Sequence, residues 1–283
     1  MQQTMAKKTS QPIFFYFTGH GNPNPRDINN NVLMLWNDQP LSVQEFSTML
    51  DKLPPQTPVV TMMAQCYSGS FANMIYQGGN PKSPIALQTR CGFFATIKTL
   101  PSVGCTPAVN EADYRDYSSS FFAGLSGRSR TGQTVASADY NHDGRVSYAE
   151  AHSFAKVDEQ TTDLPISTSE AWLQEKATQK DVDVILQQPI ANLKQTARPE
   201  QRYVIDSVVK MFKFNPQKSF GENANNLDKT QVDTEEQSAY LNRLLMELIN
   251  ISMEKKIRTS QNQKNISILN RLIKCEGSSA AKK

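Results

Sequence analysis

Hydrophobic and polar positions give this chain two textures, with the change falling near residue 181. The first strong signal is the unbroken apolar, aromatic run Ile13-Phe14-Phe15-Tyr16-Phe17-Thr18, which ends at Gly19-His20-Gly21. Such a run predicts a strand buried on both faces. Ser42-Val43-Gln44-Glu45 has the pattern of a capping box and opens an amphipathic helix that lasts to about Leu53, where Pro54-Pro55 stops it. Pro58 to Gln65 predicts a second buried strand, followed by Cys66-Tyr67-Ser68-Gly69-Ser70-Phe71, whose small residues permit a sharp turn into another helix. Strand, helix, strand is a crossover unit, and right-handed crossovers pair parallel strands. His20 and Cys66 are therefore expected at the carboxyl edge of one sheet, on neighbouring strands. Phe93 to Thr96 predicts a third strand and Tyr117 to Leu125 a helix, with the loop Gly78 to Pro84 before them.

Past residue 181 the pattern changes to long polar helices: Asp181 to Phe214 with breaks near Pro189 and Pro199, then Thr234 to Arg258, then Ile266 to Cys275. Asn215 to Asp233 reads as a linker. Tyr240, Leu241, Leu244, Leu245, Leu248 and Ile251 recur at helical spacing and predict a face packed on a neighbour. The expected organisation is a polar, disordered segment 1–12, an α/β domain over 13–180, and a helical C-terminal region over 181–283 whose linker lies near 215–233. The tail Gly277 to Lys283 is expected to be disordered.

Composition narrows the function. Hydrophobic residues make up 38% and charged residues 20% of 283, an ordinary balance for a globular protein, and no apolar run approaches the ~20 residues of a membrane span. Thirty basic residues against 27 acidic ones give a net charge of +3 spread along the chain, too even a distribution for a nucleic-acid partner. Met1 to Pro12 carries lysines but no apolar core of a secretory signal, so the cytoplasm is the default compartment. Cysteines 66, 91, 105 and 275 are too few for a disulfide scaffold. A bridge between Cys91 and Cys105 is one arrangement, and three free thiols beside Cys66 are the favoured one.

The chemistry gathers at the two strand ends. A thiol needs a base or cation beside it to become a nucleophile, and backbone donors where the oxyanion forms. His20 supplies the first, and the amides of Gly21 and Cys66 supply the second, because glycine lets the backbone approach the reacting carbonyl. One histidine or one cysteine taken alone is more often packing than chemistry. Two apolar strands of one crossover, each ending in a reactive residue among small ones, point to an active site.

Tyr16-Phe17-Thr18-Gly19-His20-Gly21 resembles the His-Gly motif of the legumain-type peptidases, and Ala64-Gln65-Cys66-Tyr67-Ser68-Gly69-Ser70 resembles their nucleophile motif, within the wider caspase-like clan. The resemblance extends through Ala95-Thr96 and Tyr117 to Phe122, over residues 13 to about 127. It implies a caspase-like, mostly parallel sheet flanked by helices, and a Cys66-His20 dyad that hydrolyses peptide bonds through an acyl-enzyme. It also leaves room for acyl transfer to an amine, and for an inactive, calcium-stabilised binding module built on the same fold. In the family a C-terminal region serves as an inhibitory pro-segment, so the helices after 181 are expected to be autoinhibitory or partner-binding. Three departures stand out. Ala64 replaces an acidic residue two before the nucleophile, Gly19 replaces Asp before the histidine, and the family has two further strands before the His-Gly strand. Asparagine specificity is therefore not implied. A sheet lacking those strands is expected to expose an apolar edge, as in a fragment or a chain whose start is misplaced.

Asp139 to Glu150 fits the twelve-residue EF-hand loop. Asp139, Asn141, Asp143, Ser147 and Glu150 place oxygens at the first, third, fifth, ninth and twelfth positions, Arg145 offers its carbonyl, and Gly144 permits the turn. A helix from Ser147 to about Lys156 follows, whereas the entering helix is missing from Arg128 to Ser137. Calcium in a structural role is the expected cofactor. His142 and His152 read as surface residues, since neither has a second His or Cys at chelating spacing.

Overall fold

The structure, a computed structural model, describes residues 12–103, 115–227, 232 and 234–279. The segment 1–11, Cys105 and residues 280–283, on which several expectations bear, lie outside the described residues. In chain order the elements are β1 (Ile13–Thr18), β2 (Gly21–Asn22), β3 (Val32–Met34), β4 (Pro40–Ser42), α1 (Val43–Asp51), β5 (Val59–Ala64), β6 (Arg90–Phe94), α2 (Tyr117–Ser126), α3 (Tyr148–Asp158), β7 (Ile166–Ser167) and α4 (Thr168–Gln174). Helices follow: α5 (Gln179–Gln187), α6 (Ile190–Lys194), α7 (Pro199–Met211), α8 (Phe220–Asn225), α9 (Glu235–Arg258) and α10 (Gln263–Glu276).

A mixed, mostly parallel sheet in the order β1-β5-β6-β7 forms the centre, with β7 antiparallel to β6. It makes the chain an α/β protein. Every residue of β5 and β6 is buried, as the continuous apolar runs require of strands covered on both faces. On one face Val59, Met63 and Phe94 pack with Phe46 and Leu50 of α1 and Phe71. On the other Val60, Met62 and Phe93 pack with Phe121 of α2 and Ala151 of α3. The α1 capping box forms as its sequence predicts, with Ser42 Oγ accepting from the Glu45 amide and Glu45 reaching back to Ser42.

β1 corrects the expectation of a strand buried on both faces. Among the described residues it is the outer strand of the sheet, with Ile13, Phe15 and Phe17 half-buried on the α1 side and Phe14 37% and Tyr16 42% exposed on the other. Among the described residues, its exposed side chains meet aromatic rings, Phe14 stacked on Tyr148 at 5.3 Å and Tyr16 edge-on to Phe122 at 5.2 Å. The helix expected after Cys66 forms as a 3-10 helix, Ser68–Ile75, while residues 90–94 rather than 93–96 form the third strand.

The helices after residue 181 complete cores begun earlier in the chain. Trp172 and Leu173 of α4 share a cluster with Met253 and Ile257 of α9 and Leu269 and Leu272 of α10. Tyr240, Leu244, Leu248 and Ile251 of α9 face Ile205 and Val208 of α7, the packed face their spacing predicts. Part of the expected linker 215–233 is helix α8, capped by Ser219. Cys91 of β6 and Cys275 of α10 form a buried disulfide, which overturns the expectation of free thiols at both positions and ties the last helix to the central sheet. His152 is likewise not a surface residue. It is 2% exposed, its Nδ1 pairing with the Tyr117 hydroxyl at 2.6 Å and its Nε2 with Glu170 at 3.0 Å. Burial lowers its pKa, and Lys156 nearby acts in the same direction.

Candidate active site

The register of β1 on β5 pairs Thr18 with Ala64, so His20 and Cys66 stand at equivalent places just past the ends of two adjacent parallel strands. The backbones remain in contact beyond the sheet. A β-carbon built on Gly21 lies 2.3 Å from the Cys66 carbonyl oxygen and 3.2 Å from that of Val32, a space only glycine fits. A small antiparallel sheet, β2-β3-β4, continues from the histidine, and the Met34 amide donates to the His20 carbonyl at 2.9 Å. His20 is exposed, and Cys66 is half-buried and keeps its thiol.

Directly after the nucleophile candidate, Tyr67 sits at φ 59° and ψ 20°, a left-handed conformation that costs a non-glycine residue ~1 kcal/mol or more. The sharp turn thus falls on Tyr67 and not on a small residue. Gly69 serves a different purpose: a β-carbon there lies 2.8 Å from the backbone of Thr96, Ile97 and Lys98, so the 3-10 helix packs directly on the strand end.

Two backbone partners of the sulfur carry no signal in the sequence. The Ser102 amide donates to Cys66 Sγ at 3.3 Å, and Sγ lies 3.5 Å from the Ser102 carbonyl oxygen. Ser102 is held in turn by Asp163, whose carboxylate accepts from Ser102 Oγ at 2.7 Å and from the Val103 amide at 3.0 Å. Nothing in the local pattern marks Asp163, because its role depends on a contact between distant segments.

A cavity of about 630 Å³ opens beside the strand ends, walled by Thr18, Ala64, Ser102, Asp116, Ser119 and Arg130 among others. Asp116 caps α2, accepting from the Ser119 amide at 2.9 Å and Ser119 Oγ at 2.5 Å, and Arg130 stands 4.0 Å from it. Described residues after 132 contribute nothing to its lining, so the C-terminal helices do not fill it. A second cavity, about 250 Å³, lies behind the 3-10 helix between Ile75, Ile97 and Trp172, and the ion pair of Lys98 with Glu175 borders it. The first cavity is the one that reaches the strand ends, through Thr18 and Ala64, and the sulfur's neighbour Ser102.

The acidic loop has the internal bonding of a tight ring. Asp139 accepts from the amides of Asp143 and Gly144, Asn141 from Asp143, and Asp143 from Arg145. Glu150, 2% exposed, accepts from the amides of Tyr140, Asn141 and Ser147. Its carboxylate is thus turned onto the loop backbone. Ser147 caps α3 with the same Glu150 as its reciprocal partner. Among the described residues no three His, Cys, Asp or Glu side chains form a metal-holding cluster. The oxygen donors are nevertheless the hard ligands that calcium prefers. Arg145 and Ser147 line a small cavity together with Gly277 and Ser278, and the Tyr148 amide donates to the Ser278 carbonyl at 2.9 Å, so the start of the tail is ordered against this loop.

Compared with models of known protein families, with curated proteins and with solved structures, the chain matches none.

Proposed function

We propose that the chain is a cysteine endopeptidase of the caspase and legumain kind, with Cys66 as nucleophile and His20 as its base. The observation that carries the reading is the meeting of the two strand ends, where the Gly21 backbone touches the Cys66 carbonyl. His20 takes the thiol proton, and the sulfur attacks the peptide carbonyl to form a thioester while the amine leaves with that proton. The amides of Gly21 and Cys66 bind the oxyanion. Water then releases the acid, or an amine takes the acyl group. The 630 Å³ cavity receives a substrate side chain, its wall mixing Tyr16, Ala64 and Phe122 with hydroxyls, Asp116 and Arg130.

Turnover of a fluorogenic peptide library tests the reading. Cys66→Ala is expected to abolish it and His20→Ala to reduce it at least ~100-fold. Equal turnover by both variants and the parent chain contradicts it.

The reading includes a structural calcium ion at Asp139, Asn141, Asp143, Ser147, Glu150 and the Arg145 carbonyl. Binding requires Glu150 to exchange its backbone partners for the metal. Saturating calcium is expected to raise the Tm by several degrees, an effect lost in Glu150→Gln, whereas magnesium at equal concentration leaves it unchanged. No shift with calcium removes the metal from the proposal. The Cys91–Cys275 bridge also favours an oxidising compartment over the cytoplasm expected by default.

A further inference from the structure

Resting on the reading of Cys66 as nucleophile, we propose that Asp163 is a positioning residue which aims the Ser102 amide at the Cys66 sulfur, and that helix α9 fixes it there through Arg243. One carboxylate grips both sides of the donor. Its Oδ2 accepts from Ser102 Oγ at 2.7 Å and its Oδ1 from the Val103 amide at 3.0 Å, which leaves the Ser102 N–H turned to the sulfur at 3.3 Å. An N–H donor at that place bonds a negatively charged sulfur, such as the one that attacks, more strongly than a neutral one.

The grip is itself held from behind. The Asp163 carbonyl accepts from Arg243 Nε at 2.9 Å and Nη2 at 2.8 Å. The same guanidinium binds the carbonyls of Lys156 and Thr161, each at 2.9 Å, so one side chain of α9 fastens the whole bend that carries Asp163. Asp163 and Arg243 are each 1% exposed. A planar fork with five donors suits this task, and neither lysine nor a neutral residue reproduces it. The helical C-terminal region therefore supports the nucleophile.

Proton binding at Asp163 offers a signature that packing alone does not produce. Burial pushes its pKa up to about 6, while the bonds from Ser102 and Val103 and the charge of Arg243 pull it down. Asp116 also faces it and raises it, and the buried carboxylate of Glu159, which pairs with the same Arg243 at 3.1 Å, lies within its electrostatic reach. Thr161 of its own bend donates nothing to the carboxylate and instead accepts from the Asp163 amide at 3.2 Å. Below about pH 6 the protonated carboxyl loses one of its two acceptors and the clamp weakens.

The test is the rate at which iodoacetamide alkylates Cys66 in the full oxidised chain, read by mass spectrometry of the Cys66 peptide from pH 5 to 8. It is run in a His20→Ala background, which removes the imidazole. At pH 7.5, Asp163→Asn is expected to slow alkylation about five- to tenfold, and Ser102→Ala, which keeps the buried carboxylate, about two- to fivefold. The chain with Asp163 intact shows an inflection near pH 6 that Asp163→Asn lacks. Unchanged rates and an unchanged profile in Ser102→Ala and Asp163→Asn overturn the inference; should Asp163→Asn fail to fold, Ser102→Ala and Arg243→Lys decide it by the same rates. Alkylation needs no peptide turnover. A chain that cleaves nothing but shows these effects loses only the peptidase reading, and one that cleaves peptides with unaltered alkylation in the variants loses only the role of Asp163.

Discussion

Three residues at the crevice show how unevenly a site is written into its sequence. His20 and Cys66 are legible because each ends an apolar run, and the parallel crossover rule then brings them together. Gly21 is legible in part: its identity suggests close approach, but only the structure shows that the neighbour is the Cys66 carbonyl. Replacing it with alanine forces a β-carbon into a 2.3 Å contact with backbone that has no rotamer to escape by. Gly21→Ala is therefore expected to destabilise the fold by about 1–3 kcal/mol and to slow alkylation of Cys66. Denaturant unfolding and the alkylation rate check it, and unaltered values in both contradict the backbone contact. Tyr67, by contrast, carries no sequence signal, since left-handed tyrosine is rare and small residues lie close by to attract the prediction of a turn.

Among the elements, strands and capped helices were the readable part. β5, α1 and the packed face of α9 lie where periodicity and capping place them. β1 misled because an apolar run looks the same whether both faces are fully buried or one is only partly covered by aromatic rings. His152 misled because a histidine without metal-ligand spacing defaults to the surface, whereas here Tyr117 and Glu170 satisfy both ring nitrogens in the interior. Helix α10 was expected from its pattern, but its anchors were not. One is Cys275; the other is Glu276, whose carboxylate accepts from Thr168 Oγ1 at 2.6 Å and from the Ser169 amide at 2.6 Å. Burial pushes the Glu276 pKa up to about 7 in spite of those bonds. A carboxyl raised on folding binds its proton more tightly in the native state, so its contribution is full below the unfolded value near 4.5 and is lost as pH rises through about 7. Glu276→Gln is expected to flatten the fall in unfolding free energy between pH 5 and 8. Urea titrations over that range check it, and a variant with the parent slope contradicts it.

At the scale of the whole molecule, the change of texture near residue 181 is real in sequence, and yet the cores run across it. Trp172 packs with Leu269, Cys91 is joined to Cys275, and Arg243 fastens the bend that reaches the sulfur through Asp163 and Ser102. Local periodicity cannot reveal such long-range pairs, which is why an inhibitory role for the helices was a natural expectation and a supporting one was not. Among the described residues, the cavity beside the strand ends is lined by residues between 16 and 132 and by none of those helices. The central claim is that an exposed imidazole activates a half-buried thiol at the meeting of two strand ends. It is tested most directly by incubating the full chain with a peptidyl acyloxymethyl ketone and measuring intact mass. A single adduct on Cys66, lost in His20→Ala, is the predicted result; a folded chain that gives no adduct, or labels equally well without the imidazole, contradicts it.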